Sequence, residues 1–294
     1  MSILEPESAI WYALCWIVLG TRLISRRLHC GAWRALQVDD YLVVLAMATD
    51  TVVMSVMHII VNTSSNLIAP GEDVSKFAQE EIDLRVYGSK LVLVVEQMQI
   101  VTVWLIKSCF LLMYNRMTLL LPQHKIVTGA AIYVALGFVV MEILYLGVWC
   151  RPFSQYWAVP PNSTQCSAAT NHLITNAVLN ISSDLIIICI PMPLLFKVKL
   201  PKKNKAILLG IFLIGTFTIV AAVLNKYYSF THPFGTEWTI WYLRESYTAI
   251  LCANLPLTYP LVQRIFKLKN WSHLSHDRTI PVNGAYSRTK RQTN

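Results

Sequence analysis

The chain has 294 residues, of which 55% are hydrophobic and 14% charged, with a net charge of +9 and a positive mean hydropathy. Soluble domains carry about 25% charged residues, so this balance excludes an ordinary soluble enzyme and points to a membrane. Apolar runs of around 20 residues recur and are hydrophobic on all sides, the pattern of spans rather than of core helices.

Seven runs are predicted to cross the bilayer, at roughly 4–24, 38–62, 86–114, 126–149, 168–197, 206–228 and 239–263. The first has Glu5 and Glu7 near its start and Arg22 near its end. No basic segment precedes "AIWYALCWIVLG", so it is expected to be a span and not a cleaved signal. The second carries Asp50 near its middle, and the lone His58 near its outer end is expected at the interface.

The third carries Glu96 and Lys107. At about 100° and 1.5 Å per residue these two share a face but stand about 16 Å apart, too far to pair. Lys107 is expected either to snorkel to the headgroups or to reach Asp50 or Asp184 on a neighbouring helix. Glu142 lies in the outer part of the fourth span.

The next loop, "CRPFSQYWAVPPNSTQC", is flanked by Cys150 and Cys166, the only two cysteines on that side of the predicted topology. They are expected to form a disulfide in an oxidising compartment, the alternative being two free thiols. The same loop holds a glycosylation sequon at Asn162.

In the fifth span Asn176, Asn180, Ser183 and Asp184 stand at i, i+4, i+7 and i+8, which puts them on one helix face. Such a stripe is costly against lipid and is expected to face the bundle interior. Pro191 and Pro193 disturb the backbone ladder near its end, and a lysine block follows. Glu245 lies in the outer part of the seventh span.

With the N-terminus outside, 18 of the 25 Lys and Arg residues fall on the cytoplasmic side, 4 on the other and 3 within spans. The +9 charge then reads as loops facing anionic lipid, and no nucleic-acid partner is expected. The expected fold is therefore all-α, a polytopic membrane protein with seven transmembrane helices, N-terminus outside and C-terminus cytoplasmic. Residues 1–266 form the membrane domain and residues 267–294 a basic cytoplasmic tail. Plasma membrane and endomembrane both remain open as its location.

No His, Cys and carboxylate spacing suggests a metal. There is no glycine-rich phosphate loop and no nucleophile elbow. A retinal Schiff base needs a desolvated lysine, and the seventh span has none, leaving Lys107 as the one deep alternative; no cofactor is expected.

Taken together, several motifs resemble the fungal rhodopsin-domain family of seven-helix integral membrane proteins, with its receptor-like and satratoxin-cluster-type members. They are Asp39-Asp40-Tyr41, Lys107-Ser-Cys with Tyr114 and Arg116, and Cys150-x-Pro152 with Trp157 and Cys166. Further on come Asn180-x-x-Ser-Asp184 with Pro191 and Pro193, Gly210 and Gly215, Trp241-x-x-x-Glu245, and Leu255-Pro256-x-x-x-Pro260-Leu261. The resemblance covers about Trp11 to Phe266 and implies that Lys107, Asp184 and Glu245 are recurrent intramembrane residues of the family. The chain departs from the family pattern at "HIIVNTSSNLIAPGED", at Asn225-Lys226 and at Tyr259.

Two functions compete. One is receptor-like sensing of a small lipophilic ligand in an outer-facing pocket, read out to a cytoplasmic signalling partner, with Glu96, Lys107, Asn180, Asp184 and Glu245 as ligand or polar-core residues. The other is a membrane enzyme of secondary metabolism, an acid-initiated cyclase or isomerase, with Asp50 and Asp184 as candidate catalytic acids. A transporter ranks third, since no internal repeat is evident. The bland alternative for Asp50 and Asp184 is a polar network that fixes helix packing.

Overall fold

The computed structural model describes residues 6–30, 36–69, 71–119, 123–192 and 202–266. The predicted Pro193, the lysines 197 and 199 and the tail 267–294 lie outside the described residues. Among the described residues there are eight helices and no strand. They are α1 (Glu7–Cys30), α2 (Val38–Ile60), α3 (Gln79–Thr118), α4 (His124–Gly147), α5 (Thr164–Ser167), α6 (Thr170–Cys189), α7 (Lys202–Thr231) and α8 (Glu237–Phe266). Residues Met1–Thr258 form one compact unit; Tyr259–Asn294 form a second, whose described part is the last turns of α8.

Six helices, α1 to α4, α6 and α7, are long and apolar enough to cross a membrane. α8 is 30 residues long and is not among these six. Two boundaries differ from the sequence reading. α3 begins well before the expected third span and has 40 residues, roughly 60 Å at 1.5 Å per residue, about twice the hydrocarbon thickness. Its extra turns are covered, because Arg85 binds Glu72 and Glu81 and stacks over Phe77, so the loop after α2 lies against them. α6 stops at Cys189 and not near residue 197, just before Pro191, which has no backbone N–H to continue the ladder.

Each spanning helix packs on the next along the chain. α8 closes the bundle: Tyr242, Leu243, Tyr247, Ile250 and Ala253 share one core with Cys15 and Leu19 of α1, Val43 and Met47 of α2, and Val95 and Ile106 of α3. Helices in lipid gain nothing from hiding apolar surface from one another, so their contact rests on close van der Waals fit and on polar links. The small residues Ala46, Ala249 and Ala253 allow that fit and are buried, while Ile17, Ile132, Leu136, Val178 and Leu213 stay exposed on the outer surface of the bundle.

The two ends of the bundle are built differently. At one end Cys150 and Cys166 form a disulfide. It encloses a short 3-10 turn, Phe153–Trp157, in which Tyr156 stands edge-on to Tyr145 and donates its hydroxyl proton to the Tyr145 carbonyl. Burial pushes the Tyr156 phenol up to about 12. Asn66, from the loop after α2, joins this turn to the rest: its amide donates to the carbonyls of Tyr156, Ala158 and Cys166, and its backbone N–H to Ser89 Oγ of α3. Gly88 makes this approach feasible, since a Cβ there would sit 2.2 Å from the Ser64 carbonyl oxygen. Nearby, Glu7 and Arg244 pair at 2.7 and 2.9 Å and tie α1 to α8. The opposite end is held by arginines.

Candidate functional site

Polar side chains inside the bundle form three groups. The first is at the arginine end, where α2 begins. Asp39 and Asp40 lie in its first turn, where the helix dipole favours negative charge, and Asp40 accepts the Gln37 backbone N–H. Arg22 of α1, fully buried, reaches Asp39 at 2.7 Å and Asp40 at 3.0 Å. Its remaining N–H groups go to the Ala253 carbonyl and Asn254 Oδ1 of α8. Arg26 and Arg116 add further contacts to Asp39, at 2.9 and 2.6 Å, and Arg116 also meets Gln37. Four helices thus converge on two carboxylates. The sequence put Arg22 near the end of the first span and counted it on the cytoplasmic side, but did not reveal these partners. The missed signal was Arg22 and Arg26 one turn apart, facing adjacent aspartates across a short connection.

The second group is in the middle. Lys107 of α3 reaches the polar stripe of α6 and not Asp50, and it does not snorkel. Its ammonium donates to the Asn180 carbonyl at 2.7 Å, to Ser183 Oγ at 2.6 Å and to Asp184 Oδ1 at 2.9 Å, with the Trp104 ring 5.4 Å away. Three donors meet three acceptors, so the ammonium is saturated. Asn180 in turn donates to Glu245 Oε1 at 2.6 Å, and Asn225 to Glu245 Oε2 at 3.3 Å. Lys226 attracts both Glu245 and Glu96. Lys226, which the sequence analysis counted on the side opposite the cytoplasm, at the end of the sixth predicted span, is buried in α7.

The third group lies toward the disulfide end. Glu96 Oε2 meets His172 Nε2 at 3.2 Å, and the His172 ring stacks on Tyr145 at 3.9 Å. His172 was missed, although the stripe of 176, 180 and 184 extends back by one turn to 172.

Asp50 joins none of these groups. It is fully buried; the Ser246 hydroxyl beside it is turned to the Leu243 carbonyl, and among the described residues neither carboxyl oxygen accepts a well-formed hydrogen bond. Among the described residues no group of three or more His, Cys, Asp or Glu could hold a metal ion.

Two cavities flank the middle group. One, of about 320 Å³, lies toward the arginine end between α3, α6, α7 and α8. Its walls are apolar, with Phe110, Ile187 and Phe212 among them, and Lys107, Asp184 and Glu245 are its charged lining residues. The other, of about 760 Å³, lies at the disulfide end and holds Glu96, His172, Arg85 and Tyr156. Asp50 lines neither. The residues Lys107, Asn180, Asp184 and Glu245 therefore come together as one unit, while Glu96 belongs to the other cavity. Asn162, the predicted glycosylation site, is exposed in the disulfide-end loop.

The family model described as the fungal rhodopsin domain matches residues 21–264. No curated protein and no solved structure matches the chain.

Proposed function

The chain belongs to the fungal rhodopsin-domain family, and from that premise we propose that it is a receptor-like membrane protein which binds a small lipophilic molecule in the cavity beside Lys107 and Asp184. In this reading it crosses the bilayer seven times, α8 being the seventh span, with the disulfide end outside and the arginine end in the cytoplasm. The observation that carries the reading is the cavity itself: a partly open, largely apolar space with a few convergent polar groups at one place on its wall, the usual form of a small-molecule site. The sequence favoured an outer-facing pocket; the space that suits a lipophilic ligand lies instead toward the arginine end.

The arginine cluster supplies a route for the readout. A ligand that separates α6 or α7 from α3 acts on the helix that carries both Lys107 and Arg116, and Arg116 holds the start of α2. A cytoplasmic partner would sense that change at the exposed ends of these helices.

The enzyme reading needs a proton donor facing the substrate. Asp184 faces the cavity, but its Oδ1 is already engaged by the Lys107 ammonium at 2.9 Å, and Asp50 faces neither cavity. Binding without turnover is the better account.

The test is to purify the protein and a Gly215→Leu variant from the native host and identify co-purifying small molecules by mass spectrometry. Gly215 lines the cavity, and the atoms nearest to a Cβ there belong to the flexible Ile188 side chain, at 3.3 Å, and to the Cys252 sulfur, at 3.6 Å. The larger side chain should fill the space without breaking the bundle. A compound enriched on the wild type, depleted on the variant and recovered unchanged after incubation supports sensing. Conversion of that compound would restore the enzyme, and identical molecules on both proteins would remove the cavity from consideration.

A further inference from the structure

The hydrogen-bond valences around the cavity narrow the chemistry of its occupant. Lys107 has no donor left, because its three N–H bonds go to Asn180, Ser183 and Asp184. Both oxygens of Glu245 are taken by the amides of Asn180 and Asn225. Thr218 is bonded to Ile214 and Thr248, and Thr118 to Tyr114. Asp184 differs. Its Oδ1 holds Lys107, but among the described residues nothing donates to Oδ2, and the side chain keeps 17% exposure while Lys107 keeps 3%.

The charged part of the cavity therefore offers acceptors and no free donor among the described residues, and Asp184 Oδ2 is the one carboxylate oxygen there that carries no hydrogen bond. A ligand's polar group must bring a hydrogen to it. An anion is excluded, since it would face a carboxylate. An ammonium would share that carboxylate with the Lys107 ammonium, two like charges side by side in a medium of low dielectric. A hydroxyl supplies the hydrogen with no charge. Beyond Asp184 the wall is apolar, with Phe110, Ile187, Ile188 and Phe212. Tyr114 stands seven residues from Lys107 on the same face of α3, roughly 10 Å further toward the arginine end.

We infer that the ligand is a lipophilic alcohol, held by donation of its hydroxyl proton to Asp184 Oδ2 with its apolar body running toward Tyr114. This inference rests on the ligand-binding reading of the cavity and adds the headgroup class to it.

Three photoreactive probes test it: a twelve-carbon alcohol, the matching amine and the matching acid, each with a mid-chain diazirine. Each is titrated against the full-length protein in nanodiscs, and labelled peptides are located by mass spectrometry. The alcohol should label α3, α6 and α7 around Phe110, Ile187 and Phe212 at concentrations about tenfold below the other two, a difference near 1.4 kcal/mol. Amine or acid labelling at equal or lower concentration overturns the hydroxyl assignment and leaves ligand binding standing. Absence of cavity labelling by all three overturns the binding reading itself. In Lys107→Met/Asp184→Leu, which removes both charges, the three probes should label alike; a preserved preference for the alcohol would sink the role of Asp184. Asp184→Asn provides the same readout if the double variant does not fold: it keeps an acceptor for Lys107 and puts a donor where Oδ2 stood, so the preference for the alcohol should vanish.

Discussion

Single charged residues in this bundle differ chiefly in whether they have partners. Arg22 is fully buried yet meets two carboxylates, a carbonyl and an amide oxygen. Removing one member of such a group leaves buried charge uncompensated, so Arg22→Ala should cost about 3–5 kcal/mol, seen as a large fall in melting temperature in detergent. Arg22→Lys should recover little of it, because an ammonium lacks the planar fork that spans both aspartates. Asp50 is the converse. A buried polar group without a hydrogen bond destabilises by about 1–3 kcal/mol in proteins, so Asp50→Leu should raise the melting temperature; a fall would mean that the carboxyl has a role that its surroundings do not reveal. Tyr156 carries a pH dependence. Its phenol is raised to about 12 by burial, above the usual value of about 10, so the neutral form stabilises the fold. That contribution is complete below pH 10 and is lost as pH rises through 12. Protease accessibility of the disulfide-end loop should rise over that interval, and Tyr156→Phe should abolish the change due to this residue.

At the scale of elements, the loop after α2 depends on a glycine. A Cβ at Gly88 would lie 2.2 Å from the Ser64 backbone oxygen, and a backbone atom cannot swing aside as a side chain does. Gly88→Ala should therefore push the loop off α3, at about 1–3 kcal/mol, and loosen the disulfide-end cavity, which Ser64, Ser65 and Asn66 line. Hydrogen exchange at Asn66 would report it. Six of the seven expected spans were legible in the sequence because twenty apolar residues admit few readings. Helix ends were less so: the length of α3 is set by loop packing through Arg85, which hydropathy does not register. The stripe on α6 was legible as a face, since period fixes direction, but its partner was not. Lys107 had three candidate destinations, and helix adjacency chose among them. The partners of Arg22 were missed for the same reason, as a charge near the end of an apolar run does not say what it meets until its neighbours are known.

For the molecule as a whole, the disulfide and the sequon bear on orientation. Closing the 16-residue separation between Cys150 and Cys166 restricts the unfolded chain by about 3 kcal/mol in the chain-entropy model. Replacing both cysteines by serine should therefore lower the melting temperature and leave helix content intact by circular dichroism. If the disulfide end faces outward, the exposed Asn162 should carry a glycan, and Asn162→Gln should remove a glycosidase-sensitive mobility shift. α3 ties the molecule together. Arg85 holds the loop after α2, Glu96 one cavity, Lys107 the other, and Arg116 the start of α2. All four are mounted on one uninterrupted rod, so no site can be adjusted in isolation: a twist of α3 that suits one moves the other three together. The protein has in effect a single shaft with four cranks, and substitutions far apart along it should be epistatic even where their side chains never touch.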